Sequence, residues 1–417
     1  MRFGALKWER SPMLQQLFEP TLAAARARLG AVQSAAFART RNALNGAVTG
    51  LSPYITHGLL SLPEVLAGVL AREDLDLQHK FIFELGWRAY FRHVWQHRGD
   101  AILSDLHAGP LPAGAYATQL PDDIRQGRTG VPVIDEAVRT LYATGMLHNH
   151  ARMWLASYCV HIRKLHWRCA ADWLYGHLLD GDLASNHLSW QWVAGTGSHK
   201  PYLFNADNVA RYAPPAWHSP GTVIACSYEA LDRLARQTTS SPPAPAKTVA
   251  GQPEPALSAQ PPAALGARSP DAAFVRGREV WLLHPWSLGE LPPQLPPNTA
   301  LVFLVVSDFH KAWPWSERRW RFVAQRVAEL AREHPLQCWH ASAAEIGAAL
   351  AASTRVRSVD EPHLRPWLSA WAECRAAPAL FPAVAGPCAS FSQWWTRSTR
   401  GLQTAAELLA VNQEPAW

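Results

Sequence analysis

The sequence predicts a mostly α-helical part followed by a smaller α/β, Rossmann-like layer. Three observations carry that reading. Up to about residue 235, apolar residues recur at three- and four-residue spacing, helix punctuation is frequent and hairpin signals are scarce. From Gln237 to Ser269 the chain reads QTTSSPPAPAKTVAGQPEPALSAQPPAALGARS, rich in Pro, Ala and Ser with no hydrophobic period. Such a stretch suits an extended, partly polyproline linker. Beyond it, short apolar runs alternate with amphipathic stretches, the pattern of a small, mostly parallel sheet covered by helices. The expected domains are residues 1–236 (helical), 237–270 (linker) and 271–417 (α/β).

In the first part, Leu75–His97, Pro132–Thr144 and Leu147–Leu165 carry helical periodicity, and Ser52-Pro53, Ser61-Leu62-Pro63 and Gly130-Val131-Pro132 read as helix starts. In the last part, Glu279–Leu283, Ala300–Ser307, Leu336–Trp339 and Val356–Val359 read as short buried strands. Trp315–Glu333, Ser342–Ala352 and Leu364–Cys374 read as helices beside them.

Composition narrows the class. The chain has 417 residues, 48% of them hydrophobic, so a sizeable core can form and wholesale disorder is excluded. Lys and Arg number 39 against 33 Asp and Glu, a net charge of +6 that suits phosphate contacts without proving them. The 20 tryptophans fit either a Trp-rich core or stacking on flat ligands. No apolar run approaches membrane-span length, and MRFGALKWERSP lacks the apolar stretch of a secretory signal. The six cysteines form no C-x-x-C pair, so neither a zinc ribbon nor an iron–sulfur run is readable and no metal is expected; a disulfide scaffold does not suit so long a chain, so a reducing, cytoplasmic setting is expected.

Three segments hold residues that could carry chemistry. Glu84, Trp87, Arg88 and Phe91 share one helix face, a mixture odd for a plain core; the plainer reading is a Glu84–Arg88 surface pair. Asn149, Arg152 and Met153 share another, and the His148–His150 string is too short to signal a nuclease. In DGDLASNHLSWQW (Asp180–Trp192), Ala184 and Ser185 spoil a calcium loop, so Asp180 and Asp182 suit a ribose hydroxyl, a heterocycle N–H or an Arg. The Gly195–Lys200 run lacks the third glycine of a dinucleotide fingerprint.

Together with GLSPYITHG (Gly50–Gly58), ELGWRAYFRH (Glu84–His93) and GRTGVPVIDEAVR (Gly127–Arg139), these segments resemble, in order, the flavin-binding helical domain of the DNA photolyase/cryptochrome family. The resemblance runs from about residue 35 to 215. It implies a helical bundle holding FAD, whose excited reduced form passes an electron to a cyclobutane pyrimidine dimer flipped out of UV-damaged DNA. It implies that Val48, Thr49, Gly50, Leu51 and Ser52 cradle the FAD phosphates, although the family's usual Thr-Ser-Arg is Val48-Thr49-Gly50 here. Phe81 and Arg88 would flank the cofactor, Arg152 would pair with Asp180, Asp182 would accept from the flavin edge and Asn186 would lie against its N5. The lesion pocket would combine Glu84, Asn149, Met153, Trp87 and Trp192, with Arg88 beside it on the DNA-facing side.

Asn149 and Met153 stand where (6-4) photoproduct relatives carry His, and plant-type photoreceptors carry Asp at the Asn186 position and lack the Trp at the Trp192 position, so the resemblance favours dimer repair; a monomer with no membrane partner is expected. A photoreceptor that binds FAD and signals through a partner is the alternative. Trp190 and Trp167 would be the inner members of the family's photoreduction chain; the outer Trp is missing, with Tyr116 near in sequence. Relatives carry an α/β antenna domain before the flavin domain. Here almost nothing precedes residue 20, and PCASFSQWWTRSTRG (Pro387–Gly401) resembles the end of that antenna layer. A circular permutation is therefore expected, with the antenna pigment left open.

Overall fold

The structure is a computed structural model that describes residues 18–238 and 250–411. The helical part holds α1 Leu22–Gly30, α2 Ser34–Thr40, α3 Ser52–Thr56, α4 Leu62–Leu70, α5 Lys80–Arg98, α6 Asp122–Arg125, α7 Pro132–Thr144, α8 Asn149–Ser157, α9 Trp167–His177, α10 Leu183–Ala194, α11 Ala206–Tyr212 and α12 Tyr228–Arg236. The punctuation explains the boundaries. Ser61 and Glu64 form a reciprocal capping box at α4. Pro132 opens α7, where its missing N–H costs nothing, and Gly145 closes it at φ 71°. The 19-residue α5 sets Phe81, Glu84, Arg88 and Arg92 along one face.

The expected single helix Leu147–Leu165 is divided. After α8, residues Tyr158–Ile162 form a π turn, followed by Lys164 at φ 52°. The Lys164 ammonium stabilises this end by donating to the carbonyls of His161, Leu234 and Ala235. Leu75–Gln78 also lies outside α5, whose start is capped by His79.

The second part adds β1 Leu257–Ser258, α13 Ala272–Val275, β2 Glu279–Leu283, β3 Ala300–Val306, α14 Ser307–Ala312, β4 Trp315–Ser316, α15 Glu317–Glu333, β5 Leu336–Ala341, α16 Ala343–Leu350, β6 Arg355–Val359, α17 Arg365–Trp371, β7 Glu373–Arg375, α18 Phe391–Ser398 and α19 Glu407–Val411. Five strands form a parallel sheet in the order β5-β3-β2-β6-β7. Counted within the layer, this is third, second, first, fourth, fifth, the doubly wound Rossmann order. All seven residues of β3, ALVFLVV, are buried, as expected for a central strand covered on both faces. Trp315 belongs to β4 rather than to the helix expected there, because residues 315–316 pair antiparallel with β1.

Part of the expected linker, residues 239–249, lies outside the described residues. Residues 250–269 are built into the fold instead of bridging it. Leu257 packs on Gly176 of α9, where an added Cβ would come within 2.7 Å of it. Glu254 accepts from Trp173 and from Arg125 and bonds His177. One apolar core runs without a break from α1, α4 and α5 into the sheet, and a second lies within the helical part around α7–α9.

Candidate functional site

A cavity of about 370 Å³ opens between α3, α5, α8 and α10. Val48, Thr49, Gly50, Leu51, Ser52, Phe81, Glu84, Trp87, Arg88, Asn149, Arg152, Met153, Asp180, Asp182, Asn186 and Trp190 all line it. Residues drawn from stretches more than a hundred positions apart thus meet at one place.

The polar floor is an ordered charge network. Arg152 grips Asp180 with one nitrogen at 2.8 and 2.9 Å from its two oxygens. Burial alone would raise the Asp180 pKa; Arg152, a Ser52 hydroxyl bond and Arg88 outweigh it and hold the carboxyl below its usual value. Asp182 caps α10, accepting from the Ser185 backbone N–H at 2.8 Å, and pairs with Arg92 at 2.7 Å. Burial is again opposed, here by Arg92, His363 and Arg88, and the net pKa falls well below the carboxylate range. Arg88 donates to Thr56 Oγ1 at 3.1 Å; burial lowers its pKa, and the charges of Asp182 and Asp180 offset only part of that fall. Asn186 donates its amide to Ala171 O at 2.8 Å.

Glu84 does not pair with Arg88. Its nearest cation is Arg41, at 3.4 Å. The side chain is 47% exposed to the open cavity, yet the surrounding walls desolvate it, and its pKa is raised despite Arg41 and Lys80. Asn149 Nδ2 lies 3.6 Å from Met153 Sδ, one helical turn on.

Two expected residues lie off the cavity. Trp192 is a correction: it sits on the outward side of α10, 39% exposed, with its ring 5.6 Å from that of Tyr202. The i,i+2 spacing from Trp190 turns it away from the face that lines the cavity. Trp167 is buried in the second core and donates to Asp105 at 2.6 Å. Tyr116 approaches it through His166, with centroid separations of 6.5 and 5.8 Å.

Sequence reading missed Arg41, Arg92 and His148, although the i,i+4 spacing of Arg88 and Arg92 was there to be used. It also missed Arg28, whose guanidinium lies 2.8 Å from where a Cβ at Gly50 would stand. Gly50 adopts φ 63°, which also favours glycine there. No three metal-ligating side chains gather among the described residues, and no described helix is long and apolar enough to cross a membrane.

Residues 81–217 match the family described as the FAD binding domain of DNA photolyase. Those residues form a FAD-binding domain of the DNA photolyase family. This photolyase-type domain is 37% identical over 153 residues to a deoxyribodipyrimidine photo-lyase of Streptomyces griseus, covering 36% of this chain and 33% of that one. A deoxyribodipyrimidine photo-lyase of Thermus thermophilus is 36% identical over 179 residues, 41% of each chain. A chloroplastic/mitochondrial cryptochrome DASH of Oryza sativa subsp. japonica is 34% identical over 172 residues, 39% of this chain and 29% of that one. The chain spans less than half the length of these relatives. The cofactor of such a domain is FAD, and the cavity offers a fitting donor set: hydroxyls and backbone at the Thr49–Ser52 loop, and charged and amide groups for a heterocycle on the floor.

Proposed function

We propose that this protein splits cyclobutane pyrimidine dimers in DNA under blue light, with FAD held in the cavity. The observation that carries this reading is the shared cavity: Glu84, Trp87, Asn149 and Met153 line the same space as Arg88, Asp180, Asp182 and Asn186. A flipped base pair and a flavin would then be neighbours. When bound, FAD supplies the electron and takes it back. The chain's own residues bind and orient. The Thr49–Ser52 loop receives the phosphates, and Arg28 beside Gly50 supplies positive charge the loop lacks. Asp180, Asp182 and Asn186 fix the heterocycle. Glu84, with its raised pKa, and Asn149 hydrogen-bond the pyrimidine edges. Trp87 gives an apolar wall; stacking of this kind is worth about 1–3 kcal/mol per base, comparable to the cost of extrusion.

The second reading is a photoreceptor that binds FAD and signals through a partner. The outward position of Trp192 favours it, since the lesion pocket then keeps one indole wall rather than two. The test is direct. The purified protein is checked for flavin absorbance, fully reduced, mixed with thymine-dimer DNA and illuminated. Loss of dimers supports repair; bound FAD with no dimer loss favours the photoreceptor.

We further propose that the C-terminal layer corresponds to the α/β antenna domain that precedes the flavin domain in relatives, placed after it here. Its Rossmann strand order supports that correspondence.

A further inference from the structure

The turn Leu179–Leu183 carries both floor carboxylates, and four separate contacts tie it to the C-terminal layer. Leu179 O lies 2.9 Å from one ring nitrogen of His57, whose other nitrogen lies 2.6 Å from Pro285 O. Gly181 O accepts from Arg319 at 2.6 Å. Asp182 shares Arg92 with Glu361, at 2.7 and 2.8 Å. The Leu183 backbone N–H donates to His363 Nε2 at 3.3 Å, which leaves Nδ1–H of that ring to donate to Glu361.

Arg319 makes the case sharpest. It is 0% exposed, and no carboxylate lies within ion-pair distance of it among the described residues. Its charge is met by the Gly181 and Tyr175 carbonyls and by the faces of Trp315 and Tyr175, 3.8 and 4.9 Å from its centre. Burying a cation without a carboxylate partner is costly, so its placement calls for a reason beyond packing. Its removal would leave the Gly181 carbonyl without this donor. Gly181 is matched to it: a Cβ there would fall 2.5 Å from Arg319 Nη1 and 2.7 Å from Tyr175 O.

We infer that Arg319, Glu361 and His363 are positioning residues for the cofactor site, through which the C-terminal layer fixes the Asp180–Asp182 turn in the geometry that FAD needs. This rests on the reading of the cavity as the FAD site. Arg319 sets the backbone of the turn. Glu361 holds Arg92 and, through it, the Asp182 carboxylate. His363 pins the first amide of α10. The layer therefore acts on the floor of the cavity from behind, without touching what the cavity holds.

The test compares the full-length chain with Arg319→Met, Glu361→Gln and Glu361→Asp. Amide hydrogen exchange is measured on the segment 178–185 without flavin, beside FAD affinity and the flavin absorbance band in the loaded protein. Arg319→Met and Glu361→Gln are expected to speed exchange in that segment and to weaken FAD binding by about tenfold or more. Glu361→Asp, which keeps the charge, restores most of the protection. Unchanged exchange in the segment for both neutral variants would overturn the inference. If Arg319→Met does not fold, Glu361→Gln, which keeps size and shape, decides it. Should the wild-type chain bind no FAD, the functional reading fails, while the flavin-free exchange comparison still tests the role of the layer in holding the turn.

Discussion

Trp87 of α5 lies face to face with Phe391 of α18, ring centroids 4.1 Å apart and planes 10° from parallel. One turn earlier, Phe83 stacks on Trp395 at 4.3 Å, and Gly86 leaves room for that indole: a Cβ there would fall 2.7 Å from it. The helix that presents Glu84, Trp87 and Arg88 to the cavity is thus braced from outside by the last part of the chain. Phe391→Ala should lower stability by about 3–5 kcal/mol, the usual cost of emptying a buried Phe site. Phe391→Leu should cost less. Urea unfolding followed by circular dichroism measures both, and equal stability for Phe391→Ala and wild type would contradict the bracing.

Arg152 donates from one guanidinium nitrogen to both oxygens of Asp180 on the cavity floor. Arg152→Ala removes the main partner of a buried carboxylate and leaves Ser52 and Arg88 to offset its burial, which costs up to about 3–5 kcal/mol. The acid response follows from the same groups. Asp180 and Asp182 both titrate below their unfolded values, so at falling pH the unfolded chain takes up protons first. Their stabilisation is complete above about pH 4 and is lost progressively below it. A melting-temperature series from about pH 7 to about pH 3 should fall steeply at its acid end, and Asp180→Asn should flatten the fall. An equally steep fall in that variant would assign the acid sensitivity elsewhere.

Much of this was legible because local signals and tertiary demands agree. Pro132 and Gly145 mark α7 to the residue, and the short, Val-rich apolar run of β3 suits a strand buried on both faces. The cavity residues were legible through the order of their motifs rather than through any one of them. What escaped depends on contacts between distant segments. β7, Glu373–Arg375, is a three-residue edge strand with two charged residues and no apolar pattern. The Pro-rich stretch 250–269 has no core of its own, yet Glu254 and Leu257 are taken up by surfaces on the helical part. Arg319 and Glu361 look like surface charges on an amphipathic helix and a loop; only the docking of the layer against the 179–183 turn shows that they are buried.

Trp87 and Trp192 should separate in function. Trp192→Ala removes an exposed ring that lies tilted against Tyr202 and should change stability by no more than about 1 kcal/mol, with FAD binding and dimer repair nearly unchanged. Trp87→Ala removes a ring from the cavity wall and should weaken binding of dimer-containing DNA by about tenfold or more, from the 1–3 kcal/mol of one lost stack. Fluorescence anisotropy with labelled thymine-dimer oligonucleotides reads both. A larger loss for Trp192→Ala would return that residue to the lesion pocket.

Trp167 is buried with its indole N–H engaged by Asp105. The ring lies outside the cavity lining, so a role in charge transfer would be separable from one in the cavity itself. Trp167→Phe keeps the apolar volume and removes the N–H donor. Photoreduction of the oxidised flavin should slow markedly, while repair by chemically reduced protein stays at the wild-type rate. Slowed repair by the reduced variant would show instead that Trp167 supports the shape of the cavity.

Chain order is the last quantity open to test. The contacts that join the two parts, Trp87 with Phe391, Arg92 with Glu361 and Gly181 with Arg319, depend on which surfaces meet and not on which segment comes first. A chain in which residues 250–411 are placed ahead of residues 18–238 should therefore rebuild the same interface. A flexible Gly/Ser connector of about 20 residues, with a mean span of about 25 Å, would join them. The rearranged protein should keep its FAD affinity and its cooperative melting. Folding of both parts with loss of FAD would mean that the native order, through the segment 239–249, sets the docking, and the proposed relation to an antenna domain placed first would lose its main support.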